Sequence, residues 1–322
     1  MGKYAVRRLL ISIPAILGAA LFIFALMRIV PGDVAALIVI GGTEGESEAV
    51  REATELVRQQ LGLDKPVHMQ FLSWMWDLMH WDLGQSLWTR QEVTELVARR
   101  FPLTIQLALM ALLISFLISI PVGVLSAVKQ DSALDYVPRL LSILGLAAPN
   151  FWLAILVITY LAAWFGWIPA LTYTPPWENP AQNVSQLIFP ALVLGTSSAA
   201  IQVRITRTQM LEVLREDYVR TARAKGLSEG AVIRRHALRN ALIPVVTIIG
   251  GQLGGLLSGA LVVEVVFNIP GLGDAIVQAV RQRDYPVVQN LILLVTVIHI
   301  MTNLGVDLLY GLLDPRISYA EY

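Results

Sequence analysis

The chain has 322 residues, of which 56% are hydrophobic and 15% charged, with 24 basic and 24 acidic side chains and no cysteine. Soluble domains average about 45–50% apolar and about 25% charged residues, so water alone does not account for this composition. The balanced charge, with no basic patch interleaved with aromatics, points to no nucleic-acid partner, and the lack of cysteine excludes disulfides and thiolate metal sites.

Charged residues are missing from six runs, 9–27, 102–128, 140–177, 179–203, 240–263 and 285–306. Each reaches the roughly 18 residues that mark a transmembrane helix candidate. A buried core helix could explain one such run but not six. The predicted fold class is therefore an all-α polytopic membrane protein. Six transmembrane helices are expected near 9–30, 102–127, 138–165, 187–206, 242–265 and 288–311, with a helical insertion after the first.

Lys3, Arg7 and Arg8 precede the first span and, by the positive-inside rule, put the N-terminus in the cytoplasm. The apolar run is too long for a typical signal-peptide core and no small-residue cleavage site follows, so it reads as a retained span. Three divisions follow: residues 1–30, an external helical segment 31–101, and a five-helix core 102–322 carrying a cytoplasmic loop at 207–241. Within 31–101, "SEAVREATELVRQQLG" predicts a short helix with Ser47 as N-cap and Gly62 as stop, and residues 67–83 predict a helix on the outer leaflet. Trp74, Trp76, Trp81 and Trp88 there, and Trp164, Trp167 and Trp177 after the third span, read as interface anchors rather than a ligand cage.

Polar residues inside spans are costly and face a cavity or a neighbouring helix. Gln106, Asn150, Gln252, His299 and Asn303 are the candidate lining of a translocation path, with interhelical hydrogen bonding the more ordinary role for any one of them. Pro149 is expected to kink the third span. In the fifth span Gly251, Gly255 and Gly259 recur every four residues, a small-residue face for close helix packing.

Residues 204–240 hold nine Lys or Arg against four acids. Inserting all of them in the bilayer would cost on the order of 35–40 kcal/mol, so the segment lies outside it, on the side that the count from the N-terminus makes cytoplasmic. Leu211, Leu214, Tyr218 and Ala222 recur at helical spacing, Lys225–Gly226 forms a stop, and Ser228 can cap a second short helix. An apolar stripe on so hydrophilic a segment predicts a docking surface rather than a solvated loop.

"EDYVRTARAKG" followed by "HALRNALIPVVT" resembles the cytoplasmic coupling loop of bacterial ATP-binding-cassette importers, specifically the B-type membrane subunit of the dipeptide/oligopeptide permease family. The resemblance runs through "RRLL" at 7–10, "MRIVPGD" at 27–33, "LGLDKP" at 61–66 and "DLGQS" at 82–86. It continues through "PVGVLSAV" at 121–128, "FNIPGLG" at 267–273, "RDYPVVQ" at 283–289 and "VDLLYGLLDPRI" at 306–317. Against the importer pattern Glu-Ala-Ala, three residues, Gly, then Ile-x-Leu-Pro, Arg220, Thr221 and Ala222 take the first places and Gly226 the fourth, while Arg239 stands where proline is usual.

The resemblance implies a type I importer permease in the bacterial inner membrane with both termini cytoplasmic. Its coupling loop would comprise Glu216, Asp217, Tyr218, Arg220, Thr221, Ala222, Arg223, Ala224, Lys225 and Gly226. Implied partners are a homologous C-type permease subunit, two cytoplasmic ATPases, a periplasmic or lipid-anchored binding protein and membrane lipid. ATP and Mg would be used by the ATPases, with no cofactor or metal bound by this chain. The implied cargo is a di- or oligopeptide, with glutathione, nickel chelates or oligosaccharides as alternatives in the family. An enzymatic role finds no support: no H-E-x-x-H, G-x-S-x-G or Walker glycine loop appears, and His68, His80 and His236 are isolated. A stand-alone carrier would need buried coupling acids, and Glu264 is the one acid at a span edge.

Overall fold

The computed structural model describes residues 2–29, 33–40, 47–170 and 172–313, and the described residues are helical with no strand. In chain order the helices are α1 (Gly2–Ile29), α2 (Val34–Ile40), α3 (Glu48–Gln60), α4 (Val67–Met79), α5 (Val93–Val128), α6 (Ala133–Ala147) and α7 (Asn150–Phe165). There follow α8 (Pro180–Leu214), α9 (Asp217–Ala224), α10 (Glu229–Ala231), a π-helical stretch Val232–Ala237, α11 (Leu238–Val266), α12 (Leu272–Gln282) and α13 (Tyr285–Leu313). The C-terminal "DPRI" of the last family motif lies outside the described residues.

Five helices are long and apolar enough to cross a bilayer, with spans at Arg7–Ile29, Val93–Val128, Pro180–Leu214, Ile248–Val266 and Tyr285–Val306. The sixth expected passage is not one kinked helix. α6 and α7 meet at 103° across Ala148 and Pro149, a broken span or a re-entrant loop, and the count reaches six only if the bent pair is one span. The reason is local: proline disfavours helical geometry in the residue before it. Ala148 is extended (ψ 122°) and so is Pro149 (ψ 140°), so the chain breaks where a continuous span with a kink was expected. α5 and α8, at 36 and 35 residues, are each over about 50 Å long, well beyond the roughly 30 Å hydrocarbon core. The surplus carries the charges: Glu95, Arg99 and Arg100 in the early turns of α5, and Arg204, Arg207 and Glu212 in the last turns of α8.

The chain divides into two compact units. One comprises Met1–Arg8, Pro102–Asp274 and Ile298–Tyr322. Its core joins Leu103, Leu107 and Ala111 of α5 to Leu187, Ala191 and Leu194 of α8 and to Leu256, Ala260 and Val263 of α11. Small residues set how closely these helices approach, as they must where lipid offers no hydrophobic drive. A Cβ on Gly195 would stand 2.7 Å from the Ala111 carbonyl oxygen, and one on Gly123 would stand 2.6 Å from Thr206 Cβ, so α5 and α8 touch through two glycines. Glu264, fully buried at the end of α11, accepts from the Gly273 amide at 2.7 Å and pins the "FNIPGLG" loop. A Cβ on Gly271 would overlap that carboxylate, which explains the glycine.

The second unit comprises Leu9–Phe101 and Ala275–Val297. Ser47 caps α3, its hydroxyl accepting from Val50 N at 3.4 Å, and Gly62 ends it at φ +65°, as the sequence predicts. α4 buries none of its residues fully, yet Trp74 is fixed: its ring lies 6.0 Å from that of Phe24 and its indole donates to Asn290 Oδ1 at 3.0 Å. Trp88 likewise donates to the Gln282 carbonyl at 2.7 Å. In the first unit Trp167 packs edge-on against Phe189. These three tryptophans hold helices together where anchoring to the interface was expected, while Trp76, Trp81, Trp164 and Trp177 remain exposed. Asp284 is buried and accepts from the Ser86 hydroxyl at 2.6 Å and from Leu87 N at 3.2 Å, joining "DLGQS" to "RDYPVVQ".

Candidate functional site

The charged segment between the fourth and fifth spans is more rigid than a loop. α8 runs to Leu214, the chain turns at Arg215 and Glu216, and α9 starts with Glu216 as its extended N-cap residue. Val219 and Ala222 of α9 are buried and pack on Val232, Val213 and Leu214. Val219, which the apolar stripe expected at Leu211, Leu214, Tyr218 and Ala222 leaves out, therefore forms the inner face together with Ala222, and Tyr218 faces outward at 40% exposure. The Tyr218 hydroxyl accepts from Asn240 Nδ2 at 2.8 Å.

The remaining residues expected in the coupling loop lie on the outside. Arg220 pairs with Asp217 at 3.0 Å, and the Thr221 hydroxyl donates to the Asp217 carbonyl at 2.9 Å. Arg223 Nε donates to Glu229 Oε1 at 2.8 Å. Ala224 and Lys225 are exposed. Gly226 has φ +79° with open space around it, so a left-handed turn, and not a crowded neighbour, requires glycine here. Leu227, next in the chain, is 42% exposed.

The second short helix expected after Ser228 is not separate. α10, the π-helical stretch and α11 follow one another without interruption, so the return limb of the segment is the root of the fifth span. π-turns inserted in helices mark local strain and often functional positions. Met210, Ala237 and Ala241 bury a small cluster against Ala127, fastening that root to the ends of α5 and α8.

An ion pair at the same end of the unit has no local signature in the sequence. Asp135, with no exposed side-chain surface, accepts from Arg207 Nε at 2.6 Å and Nη2 at 2.7 Å. It also accepts from the Ser126 hydroxyl at 2.6 Å and the Asp131 amide at 3.1 Å. α6, the end of α5 and the last turns of α8 are thereby locked at one point, seven residues before the turn into α9.

The intramembrane polar residues fall into separate seams rather than one lined path. Gln106 accepts from the Tyr173 hydroxyl at 2.8 Å and donates to Asn183, whose own amide donates to the Thr174 carbonyl at 2.8 Å. Gln252 accepts from Gln202 Nε2 at 2.7 Å, and the fully buried Gln202 also bonds Ser115 at 3.1 Å and Ser119 at 2.9 Å. That network crosses α5, α8 and α11. Asn150 begins α7, with Nδ2 3.5 Å from where a Gly259 Cβ would be. His299 packs on Gly254, its Nδ1 2.7 Å from that glycine's would-be Cβ, whereas Asn303, one turn on, is exposed. The sequence reading leaves out Gln202, to which the rule that picks out Gln106 applies equally, whereas Asn183 falls before the expected fourth span and joins it only because α8 begins at Pro180. It could not reach Asp135 and Arg207, which lie 72 positions apart.

The three glycines of the fifth span do not share one partner. Gly251 faces Val306 at 3.8 Å, Gly259 would press Leu194 at 2.8 Å, and Gly255 has nothing within 4 Å. The tightest approach to α13 is at Gly254, against His299. Among the described residues no group of three or more His, Cys, Asp or Glu could hold a metal ion.

Comparison with known proteins bears on what this arrangement is for. Residues 119–319 match the family described as "Binding-protein-dependent transport system inner membrane component", and residues 1–108 match its N-terminal companion family. The chain is 42% identical over 344 residues to the dipeptide transport system permease protein DppB of Escherichia coli K12, covering all of both chains. It is 39% identical over 339 residues to the protein of that name from Alkalihalophilus pseudofirmus, covering 99% of this chain and all of the relative. A crystal structure of an amino acid ABC transporter with histidines shares the fold, with TM-score 0.53 and 16% identity over 69% of this chain and 94% of that one. The chain, a multi-pass membrane protein and the permease component of a transport system, belongs to the family of binding-protein-dependent transport system inner membrane components.

Proposed function

We propose that this chain carries di- or oligopeptides across the inner membrane as one of two permease subunits of an ATP-driven importer, and that α9 is the handle by which a cytoplasmic ATPase moves it. One observation carries the reading. α9 buries Val219 and Ala222 against the ends of its own spans, while Tyr218 and, just past the helix, Leu227 face outward from an otherwise charged surface. Force applied to those exposed residues passes into α8 through Arg215 and into α11 through the π-helical root, with little slack between.

In this account the N-terminus lies in the cytoplasm with α9, and the helices α2 to α4 lie on the opposite side, where a binding protein would deliver its ligand. The chain hydrolyses nothing itself; ATP and Mg act on the partner ATPases. Peptide cargo follows the function for which the dipeptide permeases that match it end to end are named. Of the polar seams, His299 and Asn303 favour a path best: Asn303 is exposed on a helix that also packs inside the unit.

Gly226→Asp and Leu227→Asp test the handle in the complete transporter reconstituted with its binding protein. Leu227 is exposed, so its replacement should change chain stability by no more than about 0.5 kcal/mol. Peptide uptake and peptide-stimulated ATP hydrolysis should fall to background in both variants. Uptake at the wild-type rate in Leu227→Asp would refute docking at this surface.

A further inference from the structure

Helices α1, α3, α4 and the start of α13, all within the second unit, enclose a cavity of about 380 Å³. That is within the size range of small-molecule sites, about 300–1,000 Å³. Its wall contains Arg28, Lys65, Asp77, Asp82 and Gln289. Two cations and two carboxylates around one cavity form an arrangement that complements a zwitterion.

The donor side is held in place from behind. The Arg28 guanidinium lies 3.7 Å from the centre of the Phe24 ring, with Tyr285 at 5.6 Å, and Nη2 donates to Gln70 Oε1 at 2.9 Å. Gln70 is itself fixed, donating to the Leu63 and Lys65 carbonyls at 3.2 and 2.9 Å. Arginines at the ends of spans ordinarily reach for water. Arg28 is instead held between rings, and among the described residues no carboxylate pairs with it. Its Nε and Nη1 are buried with no acceptor, and so is Nε2 of Gln289, a residue only 4% exposed. Buried donors without partners are rare and costly, and three of them beside one cavity call for an acceptor. Asp77 and Asp82, by contrast, are exposed on the same cavity.

We infer that this cavity is a binding site for a short zwitterionic peptide, its carboxylate drawn to Arg28 and Gln289 and its ammonium group to Asp77 and Asp82. The ligand class rests on the peptide cargo proposed above; the acceptor requirement rests on the cavity alone. A phosphoethanolamine headgroup carries the same pair of charges, and the test separates the two sources.

The chain has no cysteine, so Ser73→Cys gives this cavity wall the chain's one thiol. The assembled transporter, without binding protein, is placed in nanodiscs of phosphatidylglycerol, and maleimide labelling of that thiol is followed by peptide mass spectrometry. Alanyl-alanine should slow labelling, while its C-terminal amide and its N-acetyl derivative should do so only at much higher concentration. Arg28→Gln and Gln289→Leu should each raise the half-protecting concentration about tenfold or more, the worth of a hydrogen bond to a charged group. If Arg28→Gln fails to assemble, Gln289→Leu decides alone. Equal protection by the amide, or half-protection unmoved in the variants, overturns the site. Protection by phosphoethanolamine but not by the dipeptide also overturns it, in favour of a lipid headgroup. Peptide uptake by the complete transporter is measured in parallel. Uptake without protection sinks the cavity site alone, and absence of both sinks the peptide reading with it.

Discussion

Replacing Arg207 by methionine removes one partner of a buried charge and leaves most of the volume filled. Asp135 loses two of its four hydrogen bonds and keeps those from Ser126 and the Asp131 amide. Its side chain has no exposed surface, and that of Arg207 is 17% exposed, so water does little to compensate. Two hydrogen bonds to a charged group, at about 1.5–3 kcal/mol each, give about 3–6 kcal/mol. The cost of breaking a buried pair by removing one partner is independently about 3–5 kcal/mol. The two routes agree on roughly 3–5 kcal/mol. The Arg220–Asp217 pair is the internal control: its side chains are 73% and 93% exposed, and such pairs contribute about 0–1 kcal/mol. Unfolding of the purified chain by SDS titration in mixed micelles, followed by tryptophan fluorescence, compares Arg207→Met with Arg220→Met. The double cycle with Asp135→Asn then isolates the coupling. A loss for Arg207→Met below about 1 kcal/mol, no larger than the control, would mean that the pair is hydrated and fastens nothing. Because Arg207 stands on α8 just before the turn into α9, coupled uptake should fall as well.

Two further outcomes are expected from the packing. Gly195→Ala should destabilise by about 1–3 kcal/mol, since its Cβ would meet the Ala111 carbonyl oxygen at 2.7 Å, whereas Gly18→Ala, with nothing within 4 Å, should stabilise slightly through helix propensity; the same unfolding titration reads both. Gln202→Leu should cost about 1–2 kcal/mol, because Gln252 loses its donor and Ser115 and Ser119 keep only their bonds to the Leu112 and Phe116 carbonyls, while Asn303→Leu, at an exposed site, should change stability little.

Much of this molecule could be read along the chain. The charge-free runs locate the spans but not their ends: α5 begins nine residues before its run, α8 continues eleven past its own, and Ala148 and Pro149 break the third into two helices. Ser47 and Gly62 bound α3 as capping chemistry requires, because a cap is decided by residues three or four apart. Helix α9 ends where Lys225 and Gly226 say it must. Its inner face was harder to read. Tyr218 and Val219 are adjacent apolar residues, and only the position of Val232, thirteen residues on, makes Val219 the buried one. The glycines tell the same story. A four-residue spacing drew attention to Gly251, Gly255 and Gly259, but close approach depends on what stands opposite: it occurs at Gly259, against Leu194, and equally at Gly123, Gly195 and Gly254, which lie outside that pattern.

The sequence by itself determined that the chain enters a membrane several times and keeps one charged helix out of it. Transfer free energy is close to a sum over neighbouring residues, so a window of about 20 suffices to read it. Tertiary structure alone decided which buried polar groups meet. Asp135 finds Arg207, Gln202 finds Gln252, and Arg28 comes to rest beside a cavity, paired with no carboxylate among the described residues. Those arrangements depend on helix rotation and approach set by packing across each unit, and no stretch of neighbouring residues contains that information.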